Sequence, residues 1–167
     1  MTTKAQVRHE WSESHDPEVM RLAISLHRAQ EQAFSRARAI WSRHGLTPAE
    51  FDVLATLRNA PPPHELTPSQ LQASVIITSG GLTKVMRQLE DKGLVMRPQP
   101  CADLRVKPMK LKPAGKRLVE KVMAELAVIS GTWMRGVLNA DEIGTLTRLL
   151  EKMAEEKGVA PVPSRQR

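Results

Sequence analysis

The sequence predicts a mainly α-helical fold carrying one small β-hairpin, and three observations predict it. Apolar residues recur every three or four positions over most of the chain, the spacing of helices with one buried face. The order Thr-Pro-x-Glu/Gln occurs twice, as Thr47-Pro48-Ala49-Glu50 and Thr67-Pro68-Ser69-Gln70, and sets a side-chain cap and a proline at a helix start. One stretch, Pro98 to Asp103, is rich in turn formers and lies between two short extended runs.

From Pro17 to Arg43, the residues Val19, Leu22, Ala23, Leu26, Ala29, Ala33, Ala37 and Ile40 mark one face of a long first helix, with Gly45 as its C-terminal cap. A second helix runs from about Pro48 to Arg58 on Phe51, Leu54 and Leu57. It ends at Ala60-Pro61-Pro62-Pro63, because consecutive prolines lack the N–H that a helix needs. The loop that follows is expected to last until Thr67, where a short third helix, about Pro68 to Ala73, begins. After Val75-Ile76-Ile77, Thr78-Ser79-Gly80-Gly81 opens a fourth, with Leu82, Val85, Met86 and Leu89 at helical spacing until Gly93. Leu94 to Arg97 and Val106 to Leu111 read as the two strands of the hairpin. Pro108 has no N–H to donate, so the second is expected to be an edge or irregular strand. A long helix from Pro113 carries Leu118, Val122, Leu126, Ile129, Trp133 and Val137 on one face. Asn139-Ala140-Asp141-Glu142 starts the last helix, with Ile143, Leu146, Leu149, Leu150 and Met153, which stops at Gly158.

The 167 residues are 41% apolar and 26% charged, which fits a globular chain with a core and excludes one disordered throughout. Apolar runs such as Val75-Ile76-Ile77 fall far short of the roughly 20 residues that span a bilayer, so no membrane partner is expected. The start, MTTKAQVRHEWSESHD, lacks the apolar stretch of a secretion signal, and the expected location is the cytoplasm. The lone Cys101 excludes an internal disulfide and a site built on several thiolates. Histidines at positions 9, 15, 27, 44 and 64 show no metal-ligand spacing and read as surface groups, so neither metal nor cofactor is expected. No nucleophile motif, phosphate loop or paired carboxylates point to an enzyme.

The charge is concentrated. The chain has 25 Lys and Arg against 18 Asp and Glu, a formal charge of +7. Between Lys84 and Arg117 stand ten bases, Lys84, Arg87, Lys92, Arg97, Arg105, Lys107, Lys110, Lys112, Lys116 and Arg117, against the acids Glu90, Asp91 and Asp103. The rest of the chain balances, so the whole excess sits in one module, which makes nucleic acid the leading partner. The order of elements is that of a winged helix-turn-helix flanked by helices: mainly α, with a small two- to three-stranded β-wing. In that layout the second helix of the motif enters a major groove, and Thr78, Ser79, Thr83, Lys84 and Arg87 carry suitable groups for bases and phosphates. Arg105 at the hairpin tip suits a narrow minor groove, with Lys107 beside it. The plainer alternative for Lys84 and Arg87 is a solvated helix face.

From Leu46 to Leu118 the chain resembles the MarR family of bacterial transcriptional regulators. The resemblance rests on LTPAEFDVLATLR, LTPSQL, TSGGLTKVMRQLEDKGLV and DLRVKPMKLKPAGKRL, in that family's order and spacing. It implies a homodimeric regulator whose N- and C-terminal helices intertwine between chains, on an approximately palindromic double-stranded DNA operator. Asp103-Leu104-Arg105 matches the family's Asp-x-Arg wing tip, in which the acid braces the arginine. Lys112 stands where the family usually has Thr, and Pro108 interrupts a wing strand. The implied division is an extension and dimerisation helix (1–45), a DNA-binding lobe (46–112), dimerisation helices (113–158) and a tail (159–167).

A narrower resemblance is to the PecS-type branch, which answers to urate or aromatic anions. It rests on Trp11, on Phe51-Asp52-Val53-Leu54-Ala55-Thr56-Leu57-Arg58, and on Arg97. It implies an effector site lined by Asp52 and Arg97 and covered by Trp11, with His27, Arg28 and Trp41 as further lining. Val85 stands where that branch has a second pocket arginine, so a small aromatic carboxylate, phenolic or indolic, suits the site better than urate. Trp11, Trp41 and Trp133 have core or interface packing as their alternative role, and Asp52 a local cap or ion pair. Alternative functions are a ligand-independent architectural protein or a urate- or redox-responsive regulator; Cys101, in the wing, reads as a bystander.

Overall fold

In the computed structural model the chain divides into two compact units, Met1–Leu126 and Ala127–Arg167. The structure describes residues 16–75, 79–98 and 108–155, with Ser79 described by its backbone alone. The first unit contains α1 (Pro17–Arg43), α2 (Pro48–Asn59), β1 (Glu65–Leu66), α3 (Pro68–Ser74), α4 (Ser79–Asp91), β2 (Val95–Met96), β3 (Met109–Leu111) and the start of α5 (Pro113–Arg135). The second contains the end of α5 and α6 (Ala140–Glu155).

Local chemistry sets most boundaries. Asp16 caps α1, its carboxylate accepting from the Glu18 and Val19 amides. Both Thr-Pro starts form reciprocal capping boxes, Thr47 with Glu50 and Thr67 with Gln70, which satisfies amides that a helix start leaves open. Two helices end in a left-handed glycine, Gly45 at φ +65° and Gly93 at φ +67°. The Leu46 amide then reaches the Trp41 carbonyl (2.9 Å) and the Leu94 amide the Leu89 carbonyl (3.0 Å), closing both ends and reversing the chain.

The core of the first unit forms where α1, α2, α3, α4 and α5 meet the sheet. Its large, fully buried apolar side chains are Ile40, Val53, Leu54, Leu57, Leu71, Leu89, Met109, Val119 and Val122, each stabilising by about 1.5–3 kcal/mol. Gly115 is needed at the junction, because a Cβ there would run into the Leu94 carbonyl oxygen.

The sheet departs from expectation. It has three strands in the order β1-β3-β2, all antiparallel, with Val95 opposite Leu111 and Leu66 opposite Met109. β3, expected to be an edge or irregular strand because of Pro108, is the central one. Pro108 lies just before the first paired residue, so its missing N–H removes no ladder bond. β1 lies inside the stretch read as a loop. Its two residues are too few to show alternation, and only the partner strand makes them a strand. On α5 the buried residues are Gly115, Val119 and Val122, while Leu118 is half-buried, and the helix stops at Arg135, before Val137. The expected stop at Gly158 and the tail lie outside the described residues.

In the second unit, Asn139 and Glu142 cap α6 reciprocally (2.8 and 3.0 Å). α6 has no buried residue: Leu146, Leu149, Leu150 and Met153 are all exposed.

Candidate nucleic-acid interface and effector site

The inner face of α4 is set by Leu82, Val85, Met86 and Leu89, all buried. Their spacing turns Thr83, Lys84 and Arg87 to the exposed side. Among the described residues neither Lys84 nor Arg87 pairs with an acid. A Cβ at Gly80, in the first turn, would meet nothing within 4 Å, so the backbone there is open to a close partner. Thr78, Asp103, Arg105 and Lys107, the side chain of Ser79, and Cys101 lie outside the described residues.

Not every base of the module is unpaired. Lys92 Nζ donates to Glu50 Oε1 at 2.7 Å and to the Gly45 carbonyl at 2.8 Å. Arg97 Nε lies 3.1 Å from Glu90 Oε1 on α4. Lys116 Nζ lies 3.4 Å from His64 Nε2, and His64 Nδ1 lies 2.8 Å from the Ala60 carbonyl oxygen. Three of the ten bases counted along the sequence are therefore engaged within the lobe, and His64 is half-buried and bonded within it, where a surface group was expected. The same holds for His44: its Nε2 meets Glu125 Oε1 at 3.0 Å, beside Arg43.

Glu50 is 1% exposed, the one buried charged residue among those described. Burial pushes its carboxyl up, but the hydrogen bond and charge of Lys92, with the hydrogen bonds at Thr47, outweigh this and hold it below the ordinary carboxylate value. The sequence shows Glu50 only as a capping residue. The available signal was its place beside the buried positions Val53 and Leu54, where an acid requires a counter-ion.

Of the proposed effector residues, Trp41 is 8% exposed and packs against Phe34 edge-on (centroids 5.3 Å, 70°) and Phe51 (5.4 Å, 32°). Its indole Nε1 is buried with no hydrogen-bond partner among the described residues. Arg38 caps the cluster, 5.0 Å above the Phe34 ring. Phe34, which the sequence reading passed over, joins the group because it lies seven residues before Trp41 on α1, two helical turns away. Asp52 follows Phe51 on the exposed side of α2 and pairs with no base among the described residues. Surrounding protein still removes enough water to push its carboxyl up. His27 and Arg28 are exposed on α1, Arg97 is engaged by Glu90, and Trp11 lies outside the described residues. The structure thus joins Trp41 to Phe51 beside Asp52, and ties Arg97 to α4.

Among the described residues no helix is long and apolar enough to cross a membrane, and no three His, Cys, Asp or Glu gather as metal ligands.

Two short helices, α3 and α4, with a bonded sheet beside them and bases on the outer face of the second, define a winged helix-turn-helix DNA-binding protein. Residues 46–107 match the family model described as MarR family. Over those residues the chain carries a MarR-family domain. It is 30% identical to the HTH-type transcriptional regulator PecS of Dickeya dadantii over 105 residues, 63% of this chain and 59% of PecS. A mutant MarR from E. coli, solved in complex with operator DNA, is similar at TM-score 0.70 and 27% identity, over 81% of this chain and 95% of that one. Bordetella bronchiseptica BpsR, whose DNA binding is regulated by 6-hydroxynicotinic acid, is similar at TM-score 0.62 and 26% identity, over 78% and 99%.

Proposed function

We propose that this protein is a homodimeric repressor that reads an approximately palindromic operator and is released from it by a small aromatic carboxylate, phenolic or indolic. The observation that carries the reading is α4, whose buried inner face turns Thr83, Lys84 and Arg87 outward with no acid paired to either base among the described residues. In this reading Thr78, Ser79, Thr83, Lys84 and Arg87 meet one major groove. Arg105, braced by Asp103, enters the adjacent minor groove with Lys107 nearby. A second copy supplies the neighbouring half-site. That pairing is supported by uncovered apolar side chains on α1 (Val19, Leu22, Leu26) and on α6 (Leu146, Leu149, Leu150, Met153).

The effector is placed at Trp41, Asp52 and Arg97, with Trp11, His27 and Arg28 around it. The aromatic cluster supplies stacking area, the orphaned indole N–H a donor, and Arg97 a countercharge. The similarity to BpsR, regulated by an aromatic carboxylate, supports the ligand class. An incoming carboxylate competes with Glu90 for Arg97, and Glu90 sits on α4. The ligand therefore interacts differently with the two arrangements of that helix, which any release requires.

The test is fluorescence-anisotropy titration of the DNA upstream of the protein's own gene, at two salt concentrations, with and without salicylate, phenolic acids, indole-acetic acid and urate. Tight, salt-sensitive binding relieved by one aromatic acid is the expected result. Binding that none of them relieves makes the protein a ligand-independent DNA binder.

A further inference from the structure

Lys92 belongs to the basic segment by sequence and its side chain is 40% exposed, yet its ammonium is turned onto acceptors of the lobe. It is the residue after the last of α4, and its ammonium bridges the Gly45 carbonyl on the α1–α2 turn and the buried Glu50 carboxylate in the first turn of α2. The other Glu50 oxygen accepts from the Thr47 amide at 2.8 Å, so the turn itself is braced. Among the described residues Glu50 has no other base within ion-pair distance. A carboxylate this buried holds its single counter-ion in place, because losing it strands a charge.

We propose that Lys92 is a positioning residue for DNA reading: the Glu50–Lys92–Gly45 clasp sets the angle at which α4 presents its outer face, and Lys92 contacts no phosphate. This rests on α4 being the reading helix, as proposed above. α4 has 13 residues. A helix of that length is about 20 Å long, so a tilt of about 6° around its C-terminal end moves the first turn by about 2 Å. Hydrogen bonds to base edges do not survive such a shift, whereas phosphate contacts from long, flexible side chains do. The clasp therefore governs sequence discrimination more than total affinity.

The experiment selects duplexes from a randomised pool with the wild-type protein. Wild type, Lys92→Met, Lys92→Arg and Glu50→Gln are then compared on a selected duplex and on an unrelated one, across a salt series, at a temperature where each melt shows a folded protein. Lys92→Met is expected to bind the selected duplex about tenfold more weakly, the unrelated duplex within about twofold, and with an unchanged salt slope; Lys92→Arg restores binding. Glu50→Gln shows the same selective loss with every base in place, and it carries the test if Lys92→Met does not fold. Equal weakening on both duplexes with a slope lower by about one makes Lys92 a phosphate contact and overturns the proposal. Undiminished discrimination in both variants also overturns it. Failure of the wild type to enrich any sequence removes DNA reading itself, and the proposal with it.

Discussion

Glu50 and Asp52 stand two positions apart on α2, and their surroundings push the two carboxyls in opposite directions. For Glu50, burial raises the value and the Lys92 and Thr47 contacts outweigh it, so the folded value lies below the ordinary 4.5. A lowered carboxyl contributes stability that is complete above its unfolded value and is lost as the pH falls through the folded one. Glu50→Gln should therefore cost about 1–2 kcal/mol at pH 7. Thermal melts of wild type and variant should begin to approach each other as the pH falls below 4.5 and converge only below the lowered folded value. Asp52 is the reverse case: desolvation raises it above the ordinary 3.8, with no partner among the described residues to offset the cost. Its charged form costs stability above the folded value, and that cost disappears as the pH falls below 3.8. Asp52→Asn should melt no lower than wild type at pH 7, keep DNA affinity and blunt release by the effector; a lower melting temperature would make Asp52 a structural residue instead. A group that costs stability where it stands is the kind that function retains.

At the scale of elements, α4 separates its two duties by face. Lys84→Ala and Arg87→Ala should leave stability within about 0.5 kcal/mol of wild type, since both side chains are exposed. Each should lower the salt slope of DNA binding by about one, read from anisotropy titrations. The junction of α5 with the sheet has no such freedom. Gly115→Ala drives a methyl group into the Leu94 carbonyl, which also accepts from the Lys112 amide at 3.0 Å. A loss of at least about 2 kcal/mol is expected, seen as a lower urea midpoint.

For the whole molecule, α6 is the informative part, because an amphipathic helix with no buried residue has its apolar stripe still to cover. In the proposed dimer a second chain covers it. Leu149→Glu should shift the sedimentation profile from dimer to monomer and weaken operator binding, since two half-sites held together are bound far more tightly than one. An unchanged profile would place the dimer contact elsewhere.

Local signals are legible along the chain because they act over a few residues. The Thr47, Thr67 and Asn139 caps, the glycine stops at Gly45 and Gly93, and the buried face of α4 are all read from spacing and side-chain type, and they are found as expected. With the motif order, they are enough to point to the MarR-family domain that residues 46–107 match. What the sequence could not show depends on partners distant along the chain. β1 is a strand only because β3 lies beside it, and Pro108 is harmless because it lies one residue outside the ladder. Lys92, Arg97 and Lys116 count as free charge in a linear tally. Only the tertiary structure assigns them to Glu50, Glu90 and His64, because a charge is neutralised by whatever folding brings within a few ångströms of it, not by its neighbours in sequence.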